Sequence, residues 1–379
     1  MKLKIAIIAS LGNPPYLGGI ENVVDTMINS SLKGVYDFKI FDTYRNPDPQ
    51  RTVMEKMLFA CALFFSCGKF LLTHKPALVH IHFSSGIEFI KHSICLIVAR
   101  VLGFKIIFHL HGGNFENFYI SYHPIAQKTI QLVLRIPHRV IALSDYWARF
   151  LSTIMDPKRL IVINNPIDCE RFSPPCGKAK NDMLFRILLL GRLGKHKGHY
   201  DAVKALLIVL NKYSNVVMLF AGNDDALGET ENLKKITEEN GIATNVQFLG
   251  PVTGEAKEQL LYSCSIMILP SCAENMPLSI LEGMAAKLPV IATCVGAIPE
   301  LLENGKLGIL IQVGNYEALA EGIIQLIENP QLRETFSQQA RNKICAMYDI
   351  KKIARDIDKV YCEVLNMATN IPPSSGGAQ

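Results

Sequence analysis

Along the chain, short apolar runs of strand length alternate with longer segments whose apolar residues recur at helical spacing. In the first half the short runs are KIAIIAS, DFKIFDTY, ALVHIHF, KIIFHLHG, RVIALS and LIVINNP. In the second half they are FRILLLGRL, VVMLFAGN, VQFLGPV, SIMILPS, PVIAT and GILIQV. Runs that are apolar throughout, not at every second residue, belong to strands covered on both faces. This alternation predicts an α/β chain of two doubly wound, Rossmann-like domains joined by right-handed crossovers. The rhythm breaks at SPPCGKAKNDM (173–183). The reading is therefore a first domain over 1–172, a linker over 173–183 and a second domain over 184–345. A final helical stretch, about 331–367, has no strand after it, and its end, 346–370, is expected to pack back towards the first domain. The closing IPPSSGGAQ reads as low-complexity and disordered.

Two such domains leave a cleft at the carboxyl ends of their strands, where α/β folds bind ligands. CAENMPLSILEGMAAKLPVIAT (272–293) follows one of these strands and holds two acids, Glu274 in a loop and Glu282 eight positions on. Pro277 suits a first helical position, and Leu278, Leu281, Met284 and Ala285 form the apolar stripe of the helix behind it. The free N–H groups of Leu278 and Ser279 would attract an anion between the two acids. A nucleotide sugar offers phosphates to the helix end and hydroxyls to the acids. Read alone, the stretch fits equally a solvated helix acid and a loop charge.

Other strand ends carry related chemistry. In LLLGRLGKHKGH, Gly191 and Gly194 allow a tight turn, and Arg192 and Lys197 are placed to clamp a pyrophosphate; a solvated basic loop is the plainer alternative. Gly18 and Gly19 precede a helix, so backbone there can approach a phosphate or a sugar. Asp42, at the end of the second strand, would suit a dehydrogenase, but G-x-G-x-x-G spacing is missing. His111 stands where a strand becomes a loop and could donate to a sugar hydroxyl or a phosphate. His80, His82 and His109 alternate into strands and read as packed. No histidine and carboxylate pair has metal-ligand spacing, so no metal site is expected.

Composition narrows the classes. With 49% hydrophobic and 19% charged residues, 379 residues make a globular chain with two cores. Ten cysteines without a Cys-x-x-Cys pair, and no secretory signal, point to reduced thiols in the cytoplasm without structural zinc. The net charge of +5 divides unevenly: residues 1–172 hold 19 Lys and Arg against 12 Asp and Glu, and the remainder hold 20 against 22. A basic first half fits an anionic substrate or surface. No basic run is interleaved with aromatics, which argues against nucleic acid. The oiliest segment, MLFACALFFSCGKFLL (57–72), is too short to span a bilayer and contains Lys69. It is either a buried helix, the commoner fate, or one lying in a membrane interface.

Taken in order, GGIE, HGGNF, VIALSD, NNPIDCERF, GRLGKHKG and the E-x7-E stretch resemble the retaining glycosyltransferase family 4 of the GT-B fold, over nearly the whole chain. The resemblance implies a fold of two Rossmann-like domains facing a central cleft. It also implies a UDP- or GDP-linked sugar donor used as substrate, with no cofactor. Arg192 and Lys197 would hold the donor pyrophosphate, Glu274 the sugar hydroxyls and Glu282 the ribose. His111 and the Gly18-Gly19 loop would meet the transferred sugar, and Asn275, Met276, Pro277, Leu278 and Ser279 would form the turn facing the donor. His111, Arg192, Lys197 and Glu274 are the expected catalytic set. Three positions depart from the family pattern: His196 where an acid is common, NMPLS in place of a Phe-Gly-rich turn, and Cys294 where Asp is frequent. They leave the donor sugar open. The expected reaction is metal-independent hexosyl transfer to a lipid-linked or polysaccharide acceptor in cell-surface glycan synthesis. It would take place in the cytoplasm or on the inner face of the plasma membrane, with the first domain on an anionic membrane surface. A sugar-nucleotide epimerase of the same fold and a non-catalytic nucleotide-sugar binder are the alternatives.

Overall fold

The computed structural model describes residues 2–12, 18–44, 52–174 and 184–371. Most of the 173–183 linker, part of the loop before Gly18 and the tail from 372 lie outside the described residues. The chain divides into two compact units, Met1–Pro166 with Ile350–Gln379, and Ile167–Asp349.

In the first unit, β1 (Leu3–Ala9), β2 (Tyr36–Asp42), β3 (Leu78–Phe83), β4 (Lys105–Leu110), β5 (Arg139–Ala142) and β6 (Leu160–Val162) form one sheet. Every pairing is parallel, in the order β2-β1-β3-β4-β5-β6. Because successive strand residues point to opposite faces, the sheet feeds two cores. Ile81, Phe83, Phe108 and Leu110 pack under the helices Val53–His74 and Ile87–Val101. Ile5, Ile7, Leu78 and Ile107 pack under Ile353, Ile357 and Tyr361 of the Ile350–Leu365 helix. That helix is fixed by two buried hydrogen bonds: Tyr36 Oη donates to Asp358 Oδ1 at 2.6 Å, and Tyr361 Oη lies 2.7 Å from His80 Nδ1.

In the second unit, β7 (Phe185–Leu190), β8 (Val216–Ala221), β9 (Val246–Gly250), β10 (Ile266–Leu269), β11 (Val290–Thr293) and β12 (Ile309–Ile311) are again all parallel, ordered β12-β11-β10-β7-β8-β9. This is the doubly wound order whose direction reverses between β7 and β10.

The unit boundary falls earlier than residue 172. Ile167 pairs in parallel with Asp349 and donates its N–H to Tyr348 O at 2.9 Å. The Arg341 guanidinium reaches the carbonyls of Phe172 at 3.2 Å and Cys169 at 3.3 Å. The segment 167–172 is thus tied into the second unit. The single helical stretch read over 331–367 is two helices, Pro330–Met347 in the second unit and Ile350–Leu365 in the first.

Candidate active site

Ligands of doubly wound sheets bind where strand order reverses. In the second unit that point lies between the loops after β7 and β10, which carry Arg192 to Lys197 and Ser271 to Pro277. Backbone contacts too close for side chains lock these loops together. Gly198 has φ +78, and a Cβ there would lie 2.1 Å from Pro270 O; Cys272 N donates to His196 O at 2.9 Å. The loop after β11 joins them: a Cβ on Gly296, whose φ is +54, would lie 2.0 Å from Glu274 O, and Ala297 N donates to Asn275 O at 2.9 Å. Only glycine fits at 198 and 296.

On this frame Lys197 Nζ lies 2.5 Å from Glu274 Oε1, and the Glu274 side chain is 9% exposed. Sequence reading assigned these residues to different parts of a ligand; the structure joins them directly. An ammonium has three donors, so Lys197 can hold Glu274 and still face an incoming anion. Arg192 stands apart, its side chain 69% exposed and 3.8 Å from Asp225 Oδ1, too long for a hydrogen bond. It is free to swing onto a ligand at little cost.

Behind the loop runs the Leu278–Ala285 helix. Pro277 is its N-cap, with φ −70 and ψ 121, and not its first helical residue as the sequence suggested. A proline has no side-chain acceptor, so the N-cap residue itself supplies no side-chain cap to the N–H groups of this first turn. Asn275, Met276 and Pro277 are buried, and Leu278 and Ser279 are half-buried. Glu282 is buried as well, with Oε1 2.6 Å from Lys257 Nζ. The reading of Glu282 as a solvated helix acid therefore fails. Lys257 was missed, although a signal existed: it precedes buried Leu261 by four residues and so occupies a core position of the Gly254–Ser263 helix.

In the first unit, Gly18 is the N-cap of the Gly19–Ile28 helix and Gly19 its first residue, with nothing within 4 Å of a Cβ built on Gly19. Asp42 does not face a ribose site. Its Oδ1 accepts the backbone N–H groups of Leu11 at 2.9 Å and Tyr44 at 2.8 Å, closing the turn at the ends of β1 and β2. That removes the acid on which the dehydrogenase reading relied.

His111 follows β4 and caps a ladder of imidazoles on β3 and β4. His80 Nε2 lies 3.2 Å from His109 Nδ1, and His82 Nδ1 lies 2.9 Å from His111 Nε2. The register explains the ladder, since His82 pairs with His109 and side chains two apart share a face. Burial pushes His80 down to about 3 and holds His82 and His109 well below the usual imidazole range, with neighbouring histidines adding repulsion. These rings are neutral, as burial without a counter-ion demands. His111, half-buried, is pushed the same way by burial and then by His92. Nitrogens of His80, His82 and His109 lie within 4.8 Å of one another. Spacing along the chain could not register this cross-strand trio, so the sequence expectation of no metal site did not weigh it.

Two family models match, each over one half of the chain: Glycosyltransferase Family 4 over residues 17–171 and Glycosyl transferases group 1 over 177–343. The chain belongs to this family of glycosyltransferases and has the GT-B fold. It is 26% identical over 300 residues to the N-acetyl-alpha-D-glucosaminyl L-malate synthase of Bacillus anthracis, covering 76% of this chain and 75% of the relative. It is 24% identical over 336 residues to the phosphatidyl-myo-inositol mannosyltransferase of Mycobacterium leprae, covering 87% and 84%. Among solved structures, Anabaena HepE in complex with UDP superposes with a TM-score of 0.74 at 18% identity, over 95% of this chain and all of that one.

Proposed function

We propose that this glycosyltransferase moves a hexose, with retention of configuration and without a metal ion, from a nucleoside-diphosphate donor to a lipid-linked or polysaccharide acceptor. The observation that carries this reading is the Lys197–Glu274 pair at the strand-order reversal, beside a helix end whose N-cap proline supplies no side-chain cap. In it, Lys197, Arg192 and the N-terminus of the Leu278–Ala285 helix stabilise the leaving diphosphate as charge develops, an electrostatic contribution. Glu274 takes the sugar hydroxyls, Glu282 the ribose, and His111 with Gly18 and Gly19 the transferred sugar. The UDP-bound neighbour supports a nucleotide donor, and the mannosyltransferase relative, named for a phosphatidyl-inositol acceptor, supports a lipid one. Metal independence is supported by the cations available for the diphosphate. Of the acids beside these loops, Glu274 is held by Lys197 and Asp224 accepts from Thr230. A cytoplasmic setting is consistent with nine described cysteines that all carry free thiols.

The test is incubation of purified protein and membrane extract with radiolabelled UDP- and GDP-sugars, with and without excess EDTA. Label in a lipid-extractable or polysaccharide product, undiminished by EDTA, is expected. Conversion to an epimeric nucleotide sugar without acceptor product would make the protein an epimerase, and binding without turnover a non-catalytic receptor. Activity restored only by added magnesium or manganese would end the metal-independent reading.

A further inference from the structure

The Val53–His74 helix starts at a capping box, Thr52 with Glu55, and its most apolar window is only 17% buried. Leu63, Cys67 and Leu71 fill the core beneath it. Its other side is also apolar: Met57 is 61% exposed, Leu58 62%, Phe65 73% and Leu72 57%. The adjoining Ile87–Val101 helix repeats the arrangement, with Ile87 65%, Ile90 50%, Ile97 42% and Val101 76% exposed at helical spacing. The commoner fate expected for the oily segment, burial, is not what the structure shows. Contiguous outward apolar stripes on two neighbouring helices exceed what folding needs and mark a docking face.

Charge identifies the occupant. Lys56, Lys69, Lys75 and Arg100 are exposed on or beside the same two helices, and none has an ion pair among the described residues. Of the acids there, Glu88 is engaged by Lys91 at 2.7 Å and Glu55 by the Thr52 cap. A second copy docking on this face by two-fold symmetry would set these cations against themselves. An anionic bilayer matches both the cations and the apolar stripes.

Between the helices lies a groove of about 530 Å³, lined by Phe64, Phe65, Gly68, Leu72, Val98 and Val101 among others, with Lys69 its one charged lining residue among the described residues. Gly68 forms part of it for no packing reason. A Cβ there would lie 3.7 Å from Val98 Cγ1, an ordinary contact, and alanine is the better helix former. What glycine does at 68 is leave the groove open.

We propose that this face lies in the headgroup boundary of an anionic phospholipid bilayer, with one acyl chain in the groove beside Gly68 and its phosphate on Lys69. The sequence reading of this segment as too short to span does not hold, since Met54–His74 is long and apolar enough to cross a membrane. The helices nevertheless rest on the membrane and do not cross it, because Leu63, Cys67 and Leu71 belong to the core. This goes beyond the transferase reading and does not depend on it, since the test contains no sugar donor.

The test is co-sedimentation of the full chain with phosphatidylcholine vesicles and with vesicles of phosphatidylcholine and phosphatidylglycerol, at low and high salt. Binding only to the anionic vesicles, weakened by salt, is expected. Lys69→Gln should weaken it about fivefold, the effect of one interfacial cation, and Phe65→Asp by more than tenfold. Phe65→Trp should be quenched by lipids brominated on their chains. Gly68→Leu fills the groove while keeping the face apolar, so it should weaken binding if a chain enters there; unchanged or tighter binding would overturn the groove. Equal binding to neutral vesicles, or none to either, would overturn the docking face. A dimer in lipid-free solution that Phe65→Asp dissolves would do the same by giving the face to a second copy. Circular dichroism of each variant confirms that loss of binding is not loss of fold.

Discussion

Lys197 and Glu274, 77 residues apart in the chain, meet at 2.5 Å through side chains supplied by two loops of one sheet. Each fixes the other: the carboxylate orients the ammonium, and the ammonium holds a nearly buried carboxylate in place. Replacing Lys197 by Ala is expected to weaken UDP or GDP binding by about 1.5–3 kcal/mol, the range for charged hydrogen bonds. Arg192→Ala should act in the same direction. Calorimetry decides it, and unchanged affinity in both variants would remove these cations from the diphosphate site.

The two glutamates are expected to separate by assay. Glu282→Ala should weaken nucleoside diphosphate binding, whereas Glu274→Ala should lower turnover far more than it weakens that binding, the smaller effect coming through Lys197, which it no longer orients. Lys257→Met strands Glu282, and removing one partner of a buried pair costs about 3–5 kcal/mol. Denaturant titration of Lys257→Met should show that loss, and its rescue in the Lys257→Met, Glu282→Gln double variant. A double variant no more stable than the single one would show that the two side chains do not act as a pair.

Glycine 296 offers a sharper structural test. Alanine at Gly296 would put its Cβ against the Glu274 carbonyl, while alanine at Gly254, with φ +58 and nothing within 4 Å, bears only the strained backbone. Gly254→Ala should therefore cost about 1–2 kcal/mol of stability and leave turnover intact. Gly296→Ala should cost more and displace Glu274, with turnover lost. Equal effects of the two would mean that the loops are not locked as described.

The imidazole ladder predicts a pH dependence of stability. His80 and His111 are held down to about 3 chiefly by burial, so the folded state stays neutral while the unfolded chain gains protons below about 6.5. Stability is then complete above about pH 6.5 and falls as pH drops from there towards the folded values. Each such histidine contributes up to about 1.4 kcal/mol per pH unit. Urea midpoints should be level from about pH 8 to 7 and decline steeply towards pH 5. A flat profile down to pH 5 would show that the rings are not held neutral.

How much of this could be read in the sequence depended on the kind of evidence each element leaves. Both six-stranded sheets fall on the quoted apolar runs, because a strand covered on both faces writes its burial continuously into the chain. Tyr348 and Asp349 carry no glycine or proline, so nothing local announced that one helix ends there and another begins. Glu282 and Lys257 looked like ordinary helix charges, since periodicity shows which face a residue occupies but not what covers that face. The Val53–His74 helix is the converse: apolar on both sides, it gave no clue as to which side the sheet would take.

The bridge between Ile167 and Asp349 brings the two ends of the second unit side by side, so that unit is an insertion within the first. It can close as soon as its own residues have been made. The first unit cannot, because the helix that covers Ile5, Ile7, Leu78 and Ile107 is translated only after the insertion. At about 5–20 residues per second, the ribosome needs on the order of ten seconds or more to read through the insertion. For that time the nascent chain holds one face of its first sheet bare. Chaperone demand during synthesis should therefore centre on the amino-terminal half, and truncation before Ile350 should yield a chain whose second unit is folded and whose first unit aggregates.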